Sequence, residues 1–171
     1  QHSGHYGNYV SNPVFTLSHL LASMKSESGK VLIQDYYEGI EITPEIIAVL
    51  ESVPDNKAVI DKNLGINTAE DVGANYQESL QYPSLNVRQI ETSWKGDKPK
   101  TIIPEIAMAN IDVRLVVETD GAKQLEKIKK HIEDAQKYEN YMNMNEKEKA
   151  MSSVVEKPKK TQFIVNDVTL E

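Results

Sequence analysis

Cysteine is absent from this 171-residue chain, so disulfide staples, thiolate zinc sites and a cysteine nucleophile are excluded together. The redox compartment stays open. Missing too is any apolar run near the roughly 20 residues that a bilayer-spanning helix needs, and no charged-then-apolar leader opens the sequence. Nor is there a basic surplus: 19 Lys and Arg stand against 26 Asp and Glu, a net charge of −7. Ten of those basic residues fall between Lys123 and Lys160, but seven acids are interleaved there, which makes the stretch a solvated helical surface. This balance argues against nucleic acid and anionic membrane as partners, because phosphate binding needs Lys and Arg massed on one face.

Missing motifs narrow the chemistry further. The four histidines, His2, His5, His19 and His131, make no His-Glu-x-x-His, His-x-His or His-x-Asp spacing, so no metal site is expected within the chain. His19 and His131 fall on or near the polar faces of helices and read as surface residues. No Gly-x-Ser-x-Gly elbow supports a serine hydrolase. Gly4 and Gly7 follow no strand and lack the dinucleotide-loop spacing.

What is present fits one globular domain, or one domain plus an extension, with 39% hydrophobic and 26% charged residues. Asn12 and Pro13 open a helix whose apolar face is Val14, Leu17, Leu20, Leu21 and Met24, with Gly29 as its stop. A second helix starts at Thr43-Pro44 and ends before Pro54, and a third runs from about Thr68 to Gln81, where Pro83 forbids continuation. Two strands follow. Leu85 and Val87, then Ile90, Thr92 and Trp94, alternate with a phase shift that marks a bulge between Val87 and Ile90. From Ile106 to Val117 the alternation sets Ile111, Val113, Leu115 and Val117 on one face and Asn110, Asp112 and Arg114 on the other. The polar turn formers from Lys95 to Lys100 make an antiparallel pair of these runs.

Thr119 or Asp120 then caps a helix with the core stripe Leu125, Ile128, Ile132 and Ala135. Residues 140–160 read as a polar connection with a helical turn near Glu146 to Met151, and Phe163, Val165 and Leu170 as a closing strand. No internal repeat is visible. The expected fold class is α+β, a ferredoxin-like plait: an antiparallel sheet with two main helices on one face and a helical insertion over about 43–81. Its opening strand is expected just before Gln1, unless the C-terminal run takes that place.

Three polar groups remain to carry function: His2, Thr101 and Arg114. Each alone has an ordinary explanation, as a frayed terminal residue, a turn threonine and the partner of Asp112.

Taken with their neighbours they acquire a context. The segments His2-Ser3-Gly4-His5-Tyr6-Gly7, Asn12-Pro13, Gly29-Lys30-Val31-Leu32-Ile33, Tyr82-Pro83-Ser84-Leu85-Asn86-Val87, Lys100-Thr101-Ile102-Ile103-Pro104 and Arg114-Leu115-Val116 occur in an order that resembles the dimerisation, or lid, domain of the zinc-dependent aminoacylase, carnosinase and dipeptidase type of metallo-exopeptidase. The likeness runs from His2 to about His131. It implies that residues 1–138 are a lid domain, to which 139–171, read from their own composition, add a polar connection and a last strand. It further implies a homodimer, a separate catalytic domain holding two zinc ions, and a peptide or acyl-amino-acid substrate.

In that family the histidine of the His-Ser-Gly segment stabilises the developing oxyanion across the dimer, which matches His2. Substrate binding falls to the threonine of the Lys-Thr-x-Ile-Pro segment and the arginine of the Arg-Leu-Val segment, matching Thr101 and Arg114. The resemblance thus assigns all three residues to a site supplied in trans. Two departures stand out: Asn8 replaces a second glycine, and Gln1 alone stands where Asp-Leu is usual. The family's zinc ligands and catalytic glutamate have no counterpart in these segments, so the chain alone is expected to be inert. The competing readings are a non-catalytic ferredoxin-like binding or assembly module and, last, a self-sufficient hydrolase.

Overall fold

The computed structural model describes residues 1–94, 98 and 100–142, with side chains described as far as residue 137. The expected closing strand at Phe163, Val165 and Leu170 and the helical turn near Glu146 lie outside the described residues, as does most of the hairpin connection.

Capping chemistry sets the first helices. The single turn α1 spans Ser3–Tyr6. In α2, Pro13–Met24, the Asn12 side chain accepts from the Val14 amide over 3.0 Å and Leu17, Leu20 and Met24 are buried. This helix stops at Met24, five residues before Gly29. The Met24 carbonyl takes the Leu32 amide (2.8 Å) and Lys25 bridges Val31, so the chain turns over Ser26–Lys30 and returns beneath its own helix. Gly29 serves that turn at φ +92°.

The insertion holds three helices. Thr43 caps α3, Pro44–Glu51, as expected, but α4, Lys57–Leu64, is an addition: Asn56 caps it and Gly65 ends it at φ 68°. Only Tyr76–Ser79, α5, is helical in the expected third segment. Gly73 interrupts it at φ +83°, where a Cβ would meet the Ser79 amide nitrogen at 2.9 Å.

Strands β1, Ser84–Thr92, and β2, Ala107–Arg114, pair antiparallel from Ser84↔Arg114 to Thr92↔Ala107, with the bulge between Val87 and Gln89. The alternation ends sooner than the sequence suggests. Trp94 lies past β1, with the Lys100 ammonium 4.1 Å above its ring, and Val117 is fully exposed, in a turn closed by the Thr119 amide on the Val116 carbonyl.

Asp120 caps α6, Gly121–Met142, by accepting from the Lys123 amide. Its buried face is Gln124, Ile128 and Ile132, with Leu125 half-buried. Gln124 turns inward, where its amide donates to the Tyr36 carbonyl over 3.0 Å. Helices α2 and α6 thus cover one face of the β1–β2 pair around Met24, Val31, Ile33, Tyr36, Leu85, Val113 and Ile128. The class is α+β, as expected, with a two-stranded antiparallel sheet among the described residues.

Candidate functional site

His2 is extended, and residues 1–3 lie antiparallel to 101–103. The Ile103 amide donates to the Gln1 carbonyl (2.7 Å), the Ser3 amide to the Thr101 carbonyl (2.9 Å), and His2 faces Ile102. Two segments 99 residues apart are thereby held side by side. The backbone then bends into α1, whose first turn closes as the His5 and Tyr6 amides reach the His2 carbonyl.

That bend fixes the imidazole of His2. Its Nδ1 accepts from the Gly4 amide over 3.1 Å, and its Nε2 lies 3.2 Å from Thr101 Oγ1. A ring nitrogen that accepts from an amide carries no proton, so in the neutral ring the hydrogen sits on Nε2. The sequence explains why the ring can lie there. A Cβ at Gly4 would stand 3.1 Å from His2 Cε1 and 3.2 Å from Nδ1, and one at Gly7 only 2.5 Å from the Ser3 carbonyl oxygen, so both glycines keep the turn tight.

His5 joins this group unannounced by any sequence motif: its Nδ1 is 3.4 Å from that of His2. Beside them, Ser3, Gly7, Tyr9, Asn12, Phe15 and Ile103 line an open groove of about 460 Å³. A larger cavity of about 680 Å³ separates the insertion from the core, and neither His2, Thr101 nor Arg114 lines it.

Arg114 stands elsewhere. Its Nε donates to Asp112 Oδ2 over 3.3 Å, and its side chain is 58% exposed. The strand end that carries it is anchored from the core: Ser84, its cross-strand partner, gives its carbonyl to the Tyr36 hydroxyl over 3.1 Å. Burial pushes the Tyr36 phenol up to about 12, which keeps it a donor. Thr101 precedes the Ala107 end of β2 and Arg114 closes the other. Seven residue steps at about 3.4 Å make that strand alone roughly 24 Å long.

His19 is exposed on α2, and His131 is half-buried, its Nε2 2.9 Å from the Ser23 hydroxyl. No group of three or more His, Asp or Glu that could hold a metal ion occurs among the described residues.

The family model described as the peptidase dimerisation domain matches residues 1–140. Cys-Gly metallodipeptidase DUG1 of Saccharomyces cerevisiae is 26% identical over 138 residues, which is 77% of this chain and 28% of that protein. Human Beta-Ala-His dipeptidase is 27% identical over 140 residues, 78% of this chain and 27% of its own length. Among solved structures, the M20 family metallo-carboxypeptidase Sso-CP2 of Sulfolobus solfataricus superposes with a TM-score of 0.65 at 30% identity, covering 78% of this chain and 36% of that one. The di-peptidase Dug1p of Saccharomyces cerevisiae gives 0.70 at 25% identity, over 82% and 30% of the two chains. The chain thus spans under a third of the length of the curated relatives it matches.

Proposed function

From the premise that this chain belongs to the peptidase dimerisation domain family, we propose that it pairs two copies of a zinc-dependent peptidase and completes their active sites. The reaction is hydrolysis of a peptide or N-acyl amide bond beside a free carboxylate. His2 and Thr101 reach in trans into the site of the partner copy. The observation that supports this reading is the Gly4 amide donating to His2 Nδ1, which leaves the hydrogen of the neutral ring on Nε2 and so gives the chain a donor of the kind a carbonyl oxygen gathering negative charge needs.

The two zinc ions of such enzymes would supply the activated water. The described residues of this chain do not fit them: His2 and His5 have no third ligand beside them, so both ions are assigned to a separate catalytic domain. What this chain contributes is donors. The hydrogen on His2 Nε2, which lies 3.2 Å from Thr101 Oγ1, is donated to a substrate oxygen brought beside it, and the Thr101 hydroxyl is a second polar contact there.

Arg114 offers a guanidinium fork that matches a substrate carboxylate. A dipeptide is at most about 7 Å long, far less than the length of β2. The separation favours a division of labour in which one copy sends His2 and Thr101 to one site and Arg114 to the other.

The test is His2→Ala in the intact enzyme, with turnover and light scattering measured together. Loss of one such donor is worth roughly 100- to 1,000-fold in kcat, and the dimer should persist. Near wild-type turnover would remove His2 from the reaction.

A further inference from the structure

The geometry points to His5 as a positioning residue for His2, an inference that rests on the oxyanion role proposed for His2. The two rings lie 5.1 Å apart between centroids, with planes 70° to each other, and their Nδ1 atoms are 3.4 Å apart. The Gly4 amide donates to His2 Nδ1, so that nitrogen holds a lone pair and no proton. With both rings neutral, only one proton arrangement then makes the contact attractive. His5 carries its hydrogen on Nδ1 and donates it, which leaves its own Nε2 bare.

The donations then run in one sense, from His5 Nδ1 to His2 Nδ1 and from His2 Nε2 to Thr101 Oγ1 at 3.2 Å. Sharing the lone pair of Nδ1 between two donors draws density from the ring, and this polarises the Nε2–H bond and strengthens it as a donor. The second donor also guards the tautomer. For His2 to move its hydrogen to Nδ1, both Gly4 and His5 would have to withdraw. His5 touches no substrate in this arrangement; it acts through His2.

The experiment is a long-range proton–nitrogen correlation spectrum of the ¹⁵N-labelled 171-residue chain, recorded where the imidazoles are neutral. His2 is expected with a bare, pyridine-type Nδ1 and a protonated Nε2, and His5 with the reverse. His5→Leu should move the His2 Nδ1 resonance toward that of a less hydrogen-bonded nitrogen, and His5→Gln, whose side-chain amide can donate, should bring it part of the way back. A His5 protonated on Nε2, or a His2 resonance indifferent to His5→Leu, overturns the assignment. In the intact enzyme His5→Leu should lower kcat about ten-fold with KM little changed, the low end of what an outer partner of a working imidazole is worth, and His5→Gln should recover most of it. Unchanged kcat in His5→Leu also overturns the role. The spectrum needs no catalysis, so its failure is distinct from failure of the His2 reading, which the turnover of His2→Ala measures.

Discussion

Replacing Gly4 by Ala separates the stability of the turn from its chemistry. Gly4 lies in α1 and is not among the glycines with positive φ, so alanine fits the backbone and, by restricting the unfolded chain and favouring the helical turn, contributes about 0.5–1 kcal/mol. Against this, the new Cβ would stand 3.1 Å from His2 Cε1 and 3.2 Å from Nδ1. That is too close for an undisturbed ring. The exposed imidazole swings aside and gives up the Gly4 amide bond, a loss of about 0.5–1.5 kcal/mol. The two changes nearly cancel, so the melting temperature of Gly4→Ala should stay within about 3 °C of wild type. Turnover should not. A ring displaced by a fraction of an ångström, with its tautomer released, should lower kcat by roughly 10- to 100-fold in the intact enzyme. The assay is steady-state dipeptide hydrolysis beside thermal unfolding of the same preparation. Unchanged kcat would refute the reasoning, and so would a large fall in melting temperature, since Gly4 would then serve backbone packing and not the His2 ring.

Val113→Ala and Val117→Ala test the strand end. Val113 is fully buried and should cost about 2 kcal/mol in urea unfolding, whereas Val117 is fully exposed and should change stability by less than about 0.5 kcal/mol; equal losses would restore the inward face that alternation alone suggests. The pH profile has two limbs. Burial raises the Tyr36 phenol to about 12, so its contribution is whole below the unfolded value near 10 and is lost as pH climbs from there, by on the order of 3 kcal/mol at the limit. Burial lowers His131, partly offset by Asp134, so stability is whole above the ordinary histidine value of about 6.5 and falls as pH drops below it. Urea midpoints across pH 5 to 11.5 should trace both limbs, and Tyr36→Phe should shrink the alkaline one to what the Tyr37 and Tyr82 phenols, also raised by burial, supply.

Local signals were legible where local physics decides. The caps at Asn12 and Thr43 open their helices as read, and the phase shift after Val87 is a true register shift in the ladder. Termini and long-range demands were not. The stop of α2 depends on Leu32 taking the Met24 carbonyl, and the inward turn of Gln124, where periodicity favours Leu125, depends on the Tyr36 carbonyl 88 residues away. Helix α4 was missed although Asn56 and Gly65 frame it, because its few apolar residues make a weak stripe. His2 and Thr101 were joined only by family resemblance. No spacing rule relates residues that far apart, and nothing in the sequence reveals that His5 faces His2, whereas the strand read over Ile106–Val117 already sets Arg114 at the far end from Thr101.

The central claim is that His2 serves the partner's site, and mixed dimers measure it directly. One full-length copy carries His2→Ala; the other keeps His2 but has its catalytic domain inactivated. Each homodimer is inert. Subunit exchange at equal amounts makes half the dimers mixed, with one complete site in each, so activity should rise to about a quarter of the wild-type value. A mixture as inactive as its two components, with exchange verified by mass, would contradict the account.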